Sequence, residues 1–308
     1  MKKLIVILIL VSMFGHAYGQ GVKATPEHIR ALTSLWEGER FPDGRPKVSD
    51  SDLARLENCT LEQIQGYLAR FGFRNQIELN WIVLKPGETM VGRALTCQYM
   101  PNRPDLDSLI TRQGIIEGHA RGSKNTWPID MLTRDDIYVA DGYLKVDGGT
   151  LIGSSLGNSI LGRTGKGVLF YGSIRDMQEL KETDGFNAWI KGHHPSAIRD
   201  MIPTSINAPI RIGDATVLPG DAVFANEYGV AFIPAHLLSG LVAQAALTDL
   251  RDRFERYMLQ RATHPANEVH GTWNDEMRRL YREWFIATPD KLGVTIQQID
   301  EYLERLRR

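Results

Sequence analysis

The sequence predicts an α/β fold with helical additions at both ends. Three observations carry that prediction. Short apolar runs in the middle of the chain are interleaved with helical stretches. Glycine-rich turns sit at the ends of those runs, seven glycines falling between Gly148 and Gly167. Both flanks read as amphipathic helix. The 308 residues, 43% hydrophobic and 24% charged, can bury a large core without a disulfide or metal staple. The same composition excludes a collagen, a coiled-coil rod, a disulfide miniprotein and a disordered chain. A net charge of −1 argues against a nucleic-acid partner, which needs a basic surplus on one face.

At the start, Lys2 and Lys3 precede an apolar run from Leu4 to Val11, and Ala17 and Gly19 follow in small-x-small order. This order predicts a signal peptide over residues 1–19 with cleavage after Gly19, hence a periplasmic or secreted protein. The run is shorter than the roughly 20 apolar residues a membrane span needs, and no later segment offers a span. Export would allow Cys59 and Cys97 to pair; two separate buried thiols is the favoured reading. Residues 20–85 read as a helical N-terminal extension. Thr25 and Pro26 open a helix to Trp36, a loop covers Phe41 to Pro46, and Ser49 to Asn58 is helical. Thr60 and Gln63 form a capping box for a helix to Arg70. Ile77 to Leu84 and Met90 to Tyr99 are β-like. Pro101 to Pro128 reads as an insertion with one helix, and Asp136 to Ala140 and Val168 to Tyr171 as short strands. Val217 to Pro234 reads as two strands joined at Pro219-Gly220-Asp221. Helices are expected over Ala235–Leu259, Asp275–Phe285 and Ile296–Leu306.

The strongest chemical feature is Gly172-Ser173-Ile174-Arg175-Asp176, where a buried strand runs out through a glycine and presents Arg and Asp together. Ligands bind beyond the carboxyl ends of strands in α/β sheets. Arg suits bidentate carboxylate recognition, and Asp suits a hard divalent cation. The alternative is that both residues cap the next helix. Gly153-Ser154-Ser155-Leu156 opens another helix, and its N–H groups suit a carboxylate or enolate oxygen.

Gly153 to Asp176, with "GVLFYGSIRD", resembles the helix-then-strand core of the RraA-like family, which includes the 4-hydroxy-4-methyl-2-oxoglutarate aldolases and the regulators of ribonuclease activity. Glu179 completes an Arg-Asp-x-x-acid pattern, Gly220 to Pro234 resembles the family's PGD hairpin, and Gly92 to Thr96 its first strand. The resemblance implies a swivelling β/β/α domain over 86–245, flanked by a helical extension over 246–308, and assembly as a homotrimer or homohexamer. It implies a lyase of aldolase or decarboxylase type acting on a small 2-oxo or hydroxy acid with Mg²⁺ or Mn²⁺. Arg175 would hold the substrate carboxylate, and Gly153, Ser154, Ser155 and Leu156 would cradle its oxygens. Asp176 would hold the metal, with Glu179 behind it and Glu227 supplied by a neighbouring subunit. The sequence departs from this pattern at Ser154, where aldolases carry an acid; metal affinity should drop, or another acid must substitute, Asp147 or the remoter Asp184 being the candidates. A non-enzymatic binding or regulatory protein of the cell envelope is the alternative.

Other candidates have ordinary readings. His193-His194 suits a loop contact with metal or substrate, or plain exposure. His264, Glu268 and His270 lack metal-site spacing around Pro265. His119 lies in the insertion. The Arg-rich run 278–282 alternates with Glu and reads as a solvated helix face.

Overall fold

The computed structural model describes residues 21–306; the leader reading over residues 1–19 lies outside them. The N-terminal helices are α1 (Pro26–Leu32), α2 (Asp50–Leu56) and α3 (Leu61–Arg70). Thr25 caps α1 by accepting from the His28 N–H, and α1 ends at Leu32, one turn short of the expected Trp36. The Thr60–Gln63 capping box of α3 is present in both directions.

A nine-stranded mixed sheet follows. Its strands are β1 (Ile77–Glu78), β2 (Ile82–Val83), β3 (Met90–Pro101), β4 (Asp136–Asp141), β5 (Val168–Ile174), β6 (Ala188–His193), β7 (Met201–Ile206), β10 (Ala222–Asn226) and β11 (Gly229–Ile233), while β8 (Ile210–Ile212) and β9 (Ala215–Val217) form a separate ribbon. The order is β1-β11-β10-β3-β4-β5-β6-β2, with β7 on the second half of β3. Strands β3 to β6 run parallel, and β4 and β5 in the middle are buried on both faces, which is why they read as short apolar runs. The period of two divides them between two cores: Leu95, Tyr138, Ala140, Val168 and Phe170 face one, Ala94, Ile137, Val139 and Leu169 the other.

Two strand expectations differ from the structure. The β-like run Ile77–Leu84 is broken at Asn80, whose φ of 60° turns the chain, so β1 and β2 join opposite edges of the sheet. Pro219-Gly220-Asp221 does not close a hairpin. Strand β9 pairs with β8 and β10 with β11, and the hairpin turn is Asn226 to Gly229, where Asn226 Oδ1 accepts the N–H groups of Tyr228 and Gly229.

The insertion carries α4 (Pro104–Ile116), a 3₁₀ turn and the short α5 (Trp127–Asp130); α6 (Ser154–Thr164) and α7 (Met177–Glu182) flank β5. Helix α8 (Ala235–Arg261) is 27 residues long, about 40 Å at 1.5 Å per residue. Its first half packs with α2 and α3 against the sheet. Its second half joins α9 (Ala266–His270), α10 (Asp275–Ala287) and α11 (Ile296–Arg305) in a separate C-terminal core around Phe254, Trp273 and Tyr281. Cys59 and Cys97 are free, buried in different cores, and burial pushes their thiols up to about 11 and about 12. Among the described residues no helix is long and apolar enough to cross a membrane.

Candidate functional site

The glycine-rich segment after β4 runs beside the end of β5. Leu151 N–H donates to Ser173 O (2.9 Å) and Arg175 N–H to Ile152 O (3.0 Å), so residues 150–153 act as a short extra strand. Ser173 Oγ donates to the carbonyls of Lys145 and Val146, both at 3.0 Å, and anchors the start of the same segment. This pairing carries Gly153 directly over Arg175 and Asp176. A methyl group at Gly153 would collide with Asp176 Oδ2 and lie 2.8 Å from Arg175 Nε, so a side chain there would displace both groups from their present positions.

Asp176 takes φ 58° at the start of α7, a left-handed conformation that Asp tolerates better than most residues. Its Oδ2 accepts the Ser154 N–H at 3.0 Å and lies 3.7 Å from Arg175 Nε. Ser154 N–H is therefore used inside the protein, and Ser155 and Leu156 supply the outward donors of the α6 N-terminus. The side chains of Arg175 and Asp176 remain 42% and 36% exposed, so within one chain the site lies open.

The other predicted residues separate. Glu179 is exposed on α7, one turn beyond Asp176. Glu227 is exposed in the β10–β11 turn, where Asn226 O accepts from Trp189 Nε1 at 2.8 Å. Trp189 pairs with Leu169 near the start of β5, whereas Arg175 follows its end. The two positions are thus about five strand residues apart, on the order of 17 Å, and Glu227 does not meet Arg175 of its own chain. Asp147 lies at the correct end of the sheet but faces His194 Nδ1 and Arg199 Nη2, each at 3.4 Å. His194 N–H in turn donates to Ile174 O (3.1 Å), which seats the histidine loop beside the site. Asp184 is exposed beyond the far end of α7. His119 stacks on Trp127 at 4.9 Å in the insertion. His270 bonds Glu255 in the C-terminal core (2.8 Å), while His264 bonds Thr263. Among the described residues no three His, Cys, Asp or Glu side chains gather as a metal cluster.

One polar feature below the site was missed. Arg45, in the loop read as Phe41 to Pro46, is 1% exposed and donates to both oxygens of the fully buried Asp136 at 2.9 Å. Asp136 also accepts from Thr133, and the Phe41 ring lies between Arg45 and Arg93. An Arg beside Asp43 in a Pro- and Gly-rich loop was the available signal, but the partner lies 91 residues away.

A swivelling sheet with Arg175 and Asp176 beyond a parallel strand, under a glycine turn, defines the class, and comparison with known proteins agrees. The family model for RraA-like proteins (Aldolase/RraA) matches residues 46–232, more than half of the sequence, and the chain belongs to this family. Protein DlpA of Legionella pneumophila is 25% identical over 243 residues, which cover 74% of this chain and 36% of DlpA. A Hahella chejuensis protein named "Putative 4-hydroxy-4-methyl-2-oxoglutarate aldolase" is 32% identical over 99 residues, covering 30% of this chain and 60% of that protein. The aligned part therefore spans about a third to three fifths of these relatives' length. The same fold occurs in Streptomyces coelicolor RraAS2, described as an unusual member of the RNase ES inhibitor RraA family (TM-score 0.57, 21% identity, 69% of this chain and 98% of that one). It occurs again in an uncharacterized Pseudomonas syringae protein (TM-score 0.58, 18% identity, 73% and 99%).

Proposed function

We propose that the protein is a divalent-metal-dependent carbon–carbon lyase acting on a small 2-oxo or hydroxy acid, exported by its leader and assembled as a homotrimer or homohexamer. The observation that supports this reading is the approach of Gly153 to Arg175 and Asp176, which brings a cation and a carboxylate beside the N-terminus of α6. In this reading the Arg175 guanidinium pairs with the substrate carboxylate and keto oxygen. The N–H groups of Ser155 and Leu156 face the oxygen on which enolate charge develops, stabilising it as the carbon–carbon bond breaks. Asp176 Oδ2 is engaged by Ser154, which leaves Oδ1 as the oxygen that would take the metal. One protein carboxylate with waters and substrate oxygens is a donor set that suits Mg²⁺ or Mn²⁺, and the bound ion would supply Lewis-acid polarisation of the keto group. A neighbouring subunit would cover the open side of Arg175 and bring its Glu227.

The test is pyruvate release from oxaloacetate and 4-hydroxy-2-oxo acids with Mg²⁺ or Mn²⁺. Arg175→Ala is expected to lower kcat/KM by about 100-fold or more, since it removes a charge-assisted bidentate contact. Absence of pyruvate from every substrate, with an unaltered fold, would overturn the reading. A second reading, a binding or regulatory protein of the envelope, is favoured by Ser154, which supplies no charge where the aldolase pattern has an acid. Calorimetry with Mn²⁺ and a 2-oxo acid separates the two, because only the lyase needs the metal.

A further inference from the structure

A cavity of about 350 Å³ opens between the chain after α1, the end of α3 and the turn leading into β10. Leu35, Trp36, Phe73, Leu218 and His236 give it apolar and aromatic walls. Trp36 is held in place: its Nε1 donates to Glu39 O at 2.8 Å, and a side chain at Gly38 would crowd the ring. Phe73 meets the His236 ring edge-on at 6.1 Å.

Asp221 is the one acidic residue in the lining, which contains no Lys or Arg, and it is 3% exposed. Its Oδ2 accepts the Leu218 N–H at 2.8 Å. Among the described residues nothing donates to Oδ1. The nearby Gln76 amide already donates to Thr216 O and Phe232 O. Burial pushes the Asp221 carboxyl up to about 7, and burial pushes His236 down, toward the neutral form. A buried carboxylate without a counter-ion is costly, and aromatic faces attract cations.

We propose that this cavity binds a small organic ammonium ion, its apolar body between Trp36 and Phe73 and its N–H groups on Asp221 Oδ1. Charge complementarity selects the ligand class: a cation satisfies the oxygen without a donor, whereas an anion would face an acid with no Lys or Arg beside it and a His236 held toward neutrality. The cavity shares no lining residue with Gly153, Arg175 or Asp176, so the inference stands apart from the lyase reading.

The probe is benzylamine, titrated calorimetrically into the full mature chain at about pH 8, where a carboxyl of this kind is ionised. Saturable one-to-one binding is expected, with benzyl alcohol at least about tenfold weaker because it lacks the charge. Asp221→Asn keeps an acceptor for the Leu218 N–H and removes the charge, and it is expected to weaken the amine by the same factor. Thr216→Trp fills the cavity from an exposed wall position and is expected to abolish binding. No saturable binding up to roughly 10 mM, or equal affinity for amine and alcohol, overturns the proposal. So does wild-type affinity in folded Asp221→Asn; should that variant fail to fold by circular dichroism, wild-type affinity in Thr216→Trp has the same force.

Discussion

The α/β body and the C-terminal helical arm share helix α8 yet are held together by different physics. The body depends on partners far apart in sequence, of which Arg45 and Asp136 are the clearest case, with side chains 1% and 0% exposed. The arm depends on near neighbours and aromatic packing: Phe254 lies 5.4 Å from Trp273, 5.3 Å from Tyr281 and 5.8 Å from Trp284. Among its ion pairs, Arg279 with Glu283 is one helical turn apart and solvated, at 59% and 59%. The arm brings a local core of its own, continuous with the body through α8, and its residues 293–305 share a groove with Tyr67, Arg70 and Phe71 of the body.

The largest effect expected on this contrast is that of Arg45→Met. It removes the bidentate partner of the buried Asp136 carboxylate, leaving only Arg93 Nε at 4.0 Å, and a loss of about 3–5 kcal/mol is expected in urea unfolding. Arg279→Met in the arm, which breaks an exposed pair, is expected to cost about 1 kcal/mol or less; equal costs would erase the distinction. Phe254→Ala is expected to destabilise by about 3–5 kcal/mol through the cavity it leaves. Hydrogen exchange should then show the amides of α10 and α11 losing protection while β4 and β5 keep theirs. Simultaneous loss in both would mean that the two regions unfold as one unit.

A smaller effect follows from Asp221 in the body. Burial raises its carboxyl from 3.8 to about 7, so between these values the folded state holds a proton that the unfolded chain has released. Stability is therefore full below the unfolded value and falls as pH rises toward about 7, by about 2–4 kcal/mol. Asp221→Asn should flatten that slope, and an unchanged slope would assign it to another group. The smallest effects belong to the helix caps. Thr60→Ala in the body and Thr295→Ala in the arm each remove one side of a capping box, and each is expected to cost about 1 kcal/mol. Thr295→Ala should lower only the arm's protection.

Legibility in the sequence follows the range of the interactions. The capping box at Thr60 and Gln63 and the helices after Pro234 are decided within a few residues, and their positions could be read directly. The grouping of Gly153 with Arg175 and Asp176 came from the family resemblance alone, because the pairing of residues 150–153 with the end of β5 leaves no mark in the residues themselves. The break at Asn80 was not readable, because Ile77 to Leu84 is uniformly β-like and only the two distant edges decide which half pairs where. The Pro219-Gly220-Asp221 turn misled for a related reason: its Gly and Pro mark a turn, but not which strands it joins. Arg45 was hidden in a loop whose composition signals punctuation, with a partner 91 residues away.

The segment 77–83 has a further consequence. Open sheet edges are templates for pairing with another chain, a hazard when a protein folds at high local concentration. Here both ends of the sheet are finished by two-residue strands cut from one short segment, and Lys191 Nζ fastens the bend between them through the carbonyls of Leu79 and Asn80. At these two ends the bend at Asn80 leaves only two paired residues as the outermost strand, while the third edge, β7, is met by Val22 to Ala24 at Ile206.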